Sequence, residues 1–487
     1  MASLVSSVTD FCTYVFQDQH RPQQKFGQLF VPACLGARGM LIADLGRALD
    51  GKTSDAGENV YHKFQQYFGK HLDNPRYDES LVRQRYMELL EPHLKRNNGR
   101  GILLIIDGTD LAKPYARPHR KRGMQGASIV WDGSKSRKGQ ETVKNMGFEA
   151  IVITALLPDG TVMDVDFFAF SRTIADPTTG TVFLSDYHAL LFVLKRIREY
   201  LGDEVRVVVD SGYFGEANMD LLDELGLPFL VRIPIDALAG TRKVTEATTG
   251  VATKLGDHLR SLEANHTHVV RDVDADDTLT IRSAVTHLHL GSGKGRQEAV
   301  RTAMVAWFND AATPFALLAS DTWKDTAETC LLLRTMYRKR WRVETTIANY
   351  KQRLGWGGNA EGFHACKFRV VQRLLFGWVL GQGYLALELL SRRTPEIVAT
   401  LARVGHRRNK TPKDPRRGLT RIIGEAFLRL LPGLMAKLFP PKLRGRPTWS
   451  AQQKVERKRR RLQDIEREAA RLRKELGNEC PTVGLSF

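Results

Sequence analysis

Two apolar runs, each ending on an acid, restrict this chain more than any other feature. Ile102 to Ile106 in GILLIIDGTD and Val205 to Val209 in VRVVVDSGYFG have the length and β-branching of fully buried strands. Asp107 follows the first run and Asp210 the second. A carboxylate at the end of a buried strand is costly unless it is paired, hydrogen-bonded or bound to a metal. The ordinary alternative is an Asp that caps the next helix.

A third acid sits on a helix. Asp325 to Leu354 contains no Gly or Pro, and the spacing predicts one long helix. Tyr337, Arg340, Glu344 and Lys351 recur at three, four and seven residues and so share one face. Met336, Val343, Ile347, Tyr350 and Leu354 form a second, apolar stripe beside it. A Glu flanked by cations is usually a solvated surface residue. Two Asp at strand ends and a Glu on a helix instead supply three hard oxygen ligands, which suit Mg²⁺ or Mn²⁺.

In their local contexts, IDGTDL, VVVDSGYFG and YRKRWRVETTIANYK, these residues resemble the DDE transposases of bacterial insertion sequences, in particular the cut-and-paste group with the Y-R-E-K signature. The resemblance covers Gly101 to Lys351. It implies an α/β fold, an RNase H-like mixed sheet flanked by helices, interrupted by a β-rich insertion and bounded by helical N- and C-terminal regions. It also implies that Asp107, Asp210 and Glu344 hold two divalent ions per active site, with Tyr337, Arg340 and Lys351 on DNA phosphates. The predicted strands at Phe148 to Leu157 and Val162 to Phe170, then a helix from Tyr187 to Leu201 capped by Ser185 or Asp186, complete a β-β-β-α-β order that matches such a core.

Charge and hydropathy agree with a nucleic-acid partner. The 487 residues carry 73 Lys and Arg against 54 Asp and Glu, a formal charge of +19. No run of 18 apolar residues exists; the best, from Leu374, contains Gln382 and Glu388 and reads as a buried helix, so no membrane role is expected. No secretory signal is legible after Met1, which places the chain in the cytoplasm with the nucleoid. Five scattered cysteines without a CxxC suggest neither a zinc finger nor a disulfide framework.

Five regions follow. Residues 1–100 read as helical, with candidates at Gly36 to Leu49, Glu58 to Lys70 and Glu79 to Arg96; by resemblance this region binds the transposon end. Residues 101–233 form the first part of the core. They include the basic stretch Lys113 to Lys144, where Arg120, Lys121 and Arg122 are expected to meet DNA. Residues 234–312 form the β-rich insertion, 313–400 the second part of the core, and 401–487 a basic helical region. There Val455, Lys458, Leu462, Ile465, Ala469, Leu472 and Leu476 mark a weak heptad seam, expected to support a homodimer or to dock on the core.

By resemblance the insertion supplies an aromatic that stacks on a flipped base. The family carries a Trp on the strand before the final helix; that strand here is FALLAS, which leaves Trp307 or Phe315. The insertion also holds His266 with His268 and His287 with His289, which paired strands could bring to a zinc ion. Histidine alternation on a half-exposed sheet is the plainer reading.

The function expected is excision of an insertion sequence at its double-stranded terminal inverted repeats, followed by joining of its 3′-OH ends to target DNA. Two alternatives stand beside it: an RNase H-like nuclease without strand transfer, and a domesticated DNA-binding protein without catalysis.

Overall fold

The computed structural model describes residues 2–37, 42–50, 58–95, 102–113, 127–131, 144–157, 162–176, 180–202, 205–235, 242–272, 277–290, 299–309, 311, 314–344, 346–347 and 367–390. The chain divides into two units, Met1–Pro432 and Gly433–Phe487. The second unit lies outside the described residues, as do Arg120, Lys121, Arg122, Lys351 and the heptad seam.

Helices α1 (Ala2–Val15), α2 (Arg21–Gly36), α3 (Ile42–Asp50), α4 (Glu58–Leu72) and α5 (Glu79–Lys95) precede the sheet. The expected helix Gly36 to Leu49 is instead the end of α2 and the separate α3.

The first acid-tipped run opens a longer strand than expected, β1 (Ile102–Lys113). A short strand β2 (Ser128–Trp131) and two long ones, β3 (Lys144–Leu156) and β4 (Val162–Phe170), follow it. β1 pairs antiparallel with β3, and β3 with β2 and β4. Helix α6 (Asp186–Leu201) starts at Ser185, whose hydroxyl accepts the His188 N–H, and crosses to β5 (Val205–Val209). A shorter helix, α7 (Glu216–Glu224), then leads to β6 (Phe229–Ile233). β5 lies parallel to both β1 and β6. The order β4-β3-β1-β5-β6, three antiparallel strands then two parallel, is the mixed RNase H-like sheet that the sequence predicts.

The inserted strands continue this sheet. β7 (Lys243–Glu246) and β8 (Ala252–Lys254) are followed by the short helix α8 (Leu255–Ser261). β9 (His266–Asp272), β10 (Asp277–Leu290) and β11 (Ala299–Phe308) then lead to β12 (Phe315–Ala319). β12 pairs antiparallel with β6 on one side and β11 on the other. Among the described residues twelve strands therefore share one hydrogen-bonded sheet.

The apolar stretch from Leu374 lies in a buried helix, Phe368–Leu390, which packs against β4 and α2. Close approach is possible because it presents glycine: a Cβ at Gly377 would strike the Phe30 ring, and one at Gly383 the Tyr86 hydroxyl. Tyr86 donates to the Asp164 carbonyl of β4, while Asp166 accepts from Arg83 of α5 and Arg196 of α6. Arg373 donates to the carbonyls of Leu72, Asn74 and Tyr77 at 2.7 to 2.8 Å. These bonds satisfy the charges that burial would otherwise penalise, and they fix the N-terminal helices to the core. Among the described residues no helix is long and apolar enough to cross a membrane.

Candidate active site

The parallel ladder of β1 and β5 brings the two Asp together. Its last partners are Ile106 and Val209, so Asp107 and Asp210 emerge side by side from adjacent strands. There β5 stops and the chain turns through a 3₁₀ turn at Ser211–Tyr213, whereas β1 runs on beside β3 alone. The strands part at the carboxyl ends of the parallel pair, where open α/β sheets place their ligand sites.

The third acid arrives on the element after β12. Helix α9 (Ala327–Arg338) is capped by Thr326, whose hydroxyl accepts the Thr329 N–H at 3.2 Å. At 1.5 Å per residue it spans roughly the height of the sheet and delivers Tyr337 to the acidic edge. The single long helix predicted from Asp325 to Leu354 is broken there. Lys339 and Arg340 form a turn, and the chain is helical again at 341–344, here α10. Bonds of the i to i+3 kind bracket the joint: Arg340 N–H to the Tyr337 carbonyl at 2.9 Å and Val343 N–H to the Arg340 carbonyl at 3.0 Å.

Arg340 stands among the three acids. Its guanidinium donates to Glu344, one turn further on, and lies 3.9 Å from Asp107 and 3.9 Å from Asp210. The Tyr337 hydroxyl donates to Asp210 at 3.3 Å. Burial pushes the Asp107 carboxyl up to about 6; Arg340 opposes this, and Asp210 and Glu344 add to it. Burial also raises the Tyr337 hydroxyl to about 12. Burial alone would lower the Arg340 guanidinium, but Asp210 and the other neighbours outweigh it and raise it. Three carboxylates around one cation form a hard-oxygen donor set of the kind that holds divalent ions. With Arg340 between them, no three His, Cys, Asp or Glu side chains among the described residues form a ready ion cage.

The aromatic expectations divide. β12 runs antiparallel to β6, with Ala316 opposite Ile233, so Phe315 stands at the acidic edge. Its ring packs 5.6 Å from that of Tyr337. Trp307 opposes Arg282 on β10 and is half-buried. Sequence reasoning passed over two residues. Trp341, beside Arg340, is 66% exposed. Tyr213 lies under Gly108, where a Cβ would come 3.3 Å from its hydroxyl. Burial and then Asp107 raise that hydroxyl. The tyrosine is visible in DSGYFG, but nothing in the spacing announces its contact with β1.

The zinc reading is overturned. His266 opposes Ser283, four positions from His287, a separation of roughly 13 Å along a strand. His266 contacts Asp325 at 2.7 Å, and His287 the Trp323 carbonyl at 2.9 Å. These histidines anchor the segment entering α9.

The mixed sheet thus brings Asp107 and Asp210 to the split between β1 and β5, with Glu344 on the helical element that follows β12. Residues 98–378 match the model described as the transposase DDE domain, and the chain belongs to that family. It is therefore a DNA-binding transposase of a family that works with divalent metal ions. Comparison with curated proteins gave no match.

Proposed function

We propose that this transposase belongs to the Y-R-E-K group, binds the terminal inverted repeats of its insertion sequence as a homodimer, excises the element and joins its 3′-OH ends to target DNA. One observation carries the reading: Asp107, Asp210 and Glu344, from three distant parts of the chain, converge on the single guanidinium of Arg340. These three acids would hold two Mg²⁺ or Mn²⁺ ions. When bound, such ions supply Lewis-acid activation of the attacking oxygen and stabilise the leaving one.

Tyr337 offers a hydroxyl donor, and Arg340 and Lys351 offer cations, to the phosphates flanking the cut. In the first step water attacks phosphorus and the P–O3′ bond breaks, leaving a 5′-phosphate and a free 3′-OH. That hydroxyl then attacks the opposite strand, closing a hairpin and displacing the 3′-oxygen of the flanking DNA; a second water reopens the hairpin and restores the 3′-OH, which attacks target DNA and displaces a target 3′-oxygen. Phe315, packed on Tyr337 at the acidic edge, and Trp307 are the aromatics proposed to stack on a flipped base. The N-terminal helices are proposed to bind the transposon end.

The test is cleavage of a duplex carrying the terminal repeat. Asp107→Ala should abolish ion-dependent cutting while leaving gel-shift affinity for the repeat nearly unchanged. Cleavage retained by that variant would remove the assignment.

A further inference from the structure

Nothing in the sequence from Asp325 to Leu354 breaks a helix, yet the chain turns at Lys339 and Arg340. The turn coincides with the ion pairs that Arg340 makes to acids from elsewhere in the chain. Its side chain is 11% exposed and meets three carboxylates. The fit is incomplete, however. Among the described residues only Glu344 accepts a hydrogen bond from it; Asp107 and Asp210 lie at ion-pair distance, and the buried Nη1 has no hydrogen-bond partner there. A guanidinium has five donors in a planar fork, a shape that two oxygens of one phosphate satisfy together. Conversely, three carboxylates facing one guanidinium retain an excess of negative charge that a divalent ion would neutralise more completely.

We propose that Arg340 is a shared counter-ion that couples DNA engagement to metal loading: it holds the three acids in the DNA-free protein and passes to a DNA phosphate on binding. The acids are then released for divalent ions. Each ligand removes the competitor of the other, so each strengthens the other's binding, as reciprocal linkage requires. The inference rests on the metal-site reading of Asp107, Asp210 and Glu344, and adds that the site is blocked until DNA arrives.

Calorimetric titration of the full chain with Mn²⁺ alone, without DNA, tests it. Arg340→Gln should bind Mn²⁺ more tightly than wild type, by at least about fivefold, the lower end of usual coupling strengths. Arg340→Lys, which keeps a charge but loses the fork, should fall between them; it also serves if the glutamine variant does not fold. Adding a repeat duplex should raise the Mn²⁺ affinity of wild type by a larger factor than that of either variant. Equal or weaker Mn²⁺ binding by folded variants overturns the counter-ion role while leaving the metal site standing. Failure of wild type and variants alike to bind Mn²⁺, with or without DNA, overturns the metal site and the inference with it. Asp107→Asn in the Arg340→Gln background should abolish the gained affinity, and its persistence would place the ion elsewhere.

Discussion

Asp107 shows at the scale of one residue how a site opposes the fold that holds it. Its carboxyl ionises near 6 in the folded protein, held up by burial and by Asp210 and Glu344, against about 3.8 when the chain is unfolded. The folded state thus keeps a proton that the unfolded state has already lost. The resulting stability is fully present below about pH 4 and disappears as pH rises through 6. Asp107→Asn, which carries no charge to desolvate, should therefore gain on the order of 1–3 kcal/mol over wild type at pH 7.5 and nothing at pH 4. Urea unfolding at the two pH values measures this, and an equal gain at both would mean that charge is not the cause. Both strand-borne acids were legible because each follows an uninterrupted β-branched run. For His266 and His287 the plainer reading holds: alternation along a strand says which face a side chain takes, while the register between strands decides whom it meets.

At the scale of elements, Glu344 could be found from helical spacing even though the helix is not continuous, since a tight turn preserves the order of Tyr337, Arg340 and Glu344. The break falls where Arg340 meets acids brought from β1 and β5, neighbours that no local pattern announces. The docking of Phe368–Leu390 was equally hidden: its apolar length announced burial, but not that Gly377 and Gly383 would admit Phe30 and Tyr86. Gly383→Ala should displace the Tyr86 hydroxyl from the Asp164 carbonyl and cost roughly 1–3 kcal/mol through overpacking and rupture of a buried hydrogen bond. Tyr86→Phe should cost less, because it removes the hydroxyl without crowding the helix. An unchanged urea midpoint for Gly383→Ala would show that the helix yields freely. Asp166→Asn should be more severe, about 3–5 kcal/mol, because Arg83 and Arg196 would keep buried charge with weakened partners.

For the whole molecule, the unbroken ladder from β3 through β6 and β12 to β10 ties the inserted strands to the acid-bearing ones. Amide exchange in β11 and β12 should be as slow as in β5 and β6; much faster exchange would mean that the inserted strands open independently. The formal charge of +19 points outward to DNA. Reversing the charge of Arg120, Lys121 and Arg122 together should lower the salt slope of DNA binding by up to about three, one for each phosphate no longer neutralised. An unchanged slope would remove that stretch from the interface.

The parallel pairing of β1 with β5 also has a consequence in time. A ribosome releases β1 well before its parallel neighbour, and the helical turn bearing Glu344 only after every inserted strand. On a growing chain the three acids cannot meet, so a half-made protein carries no assembled acidic centre.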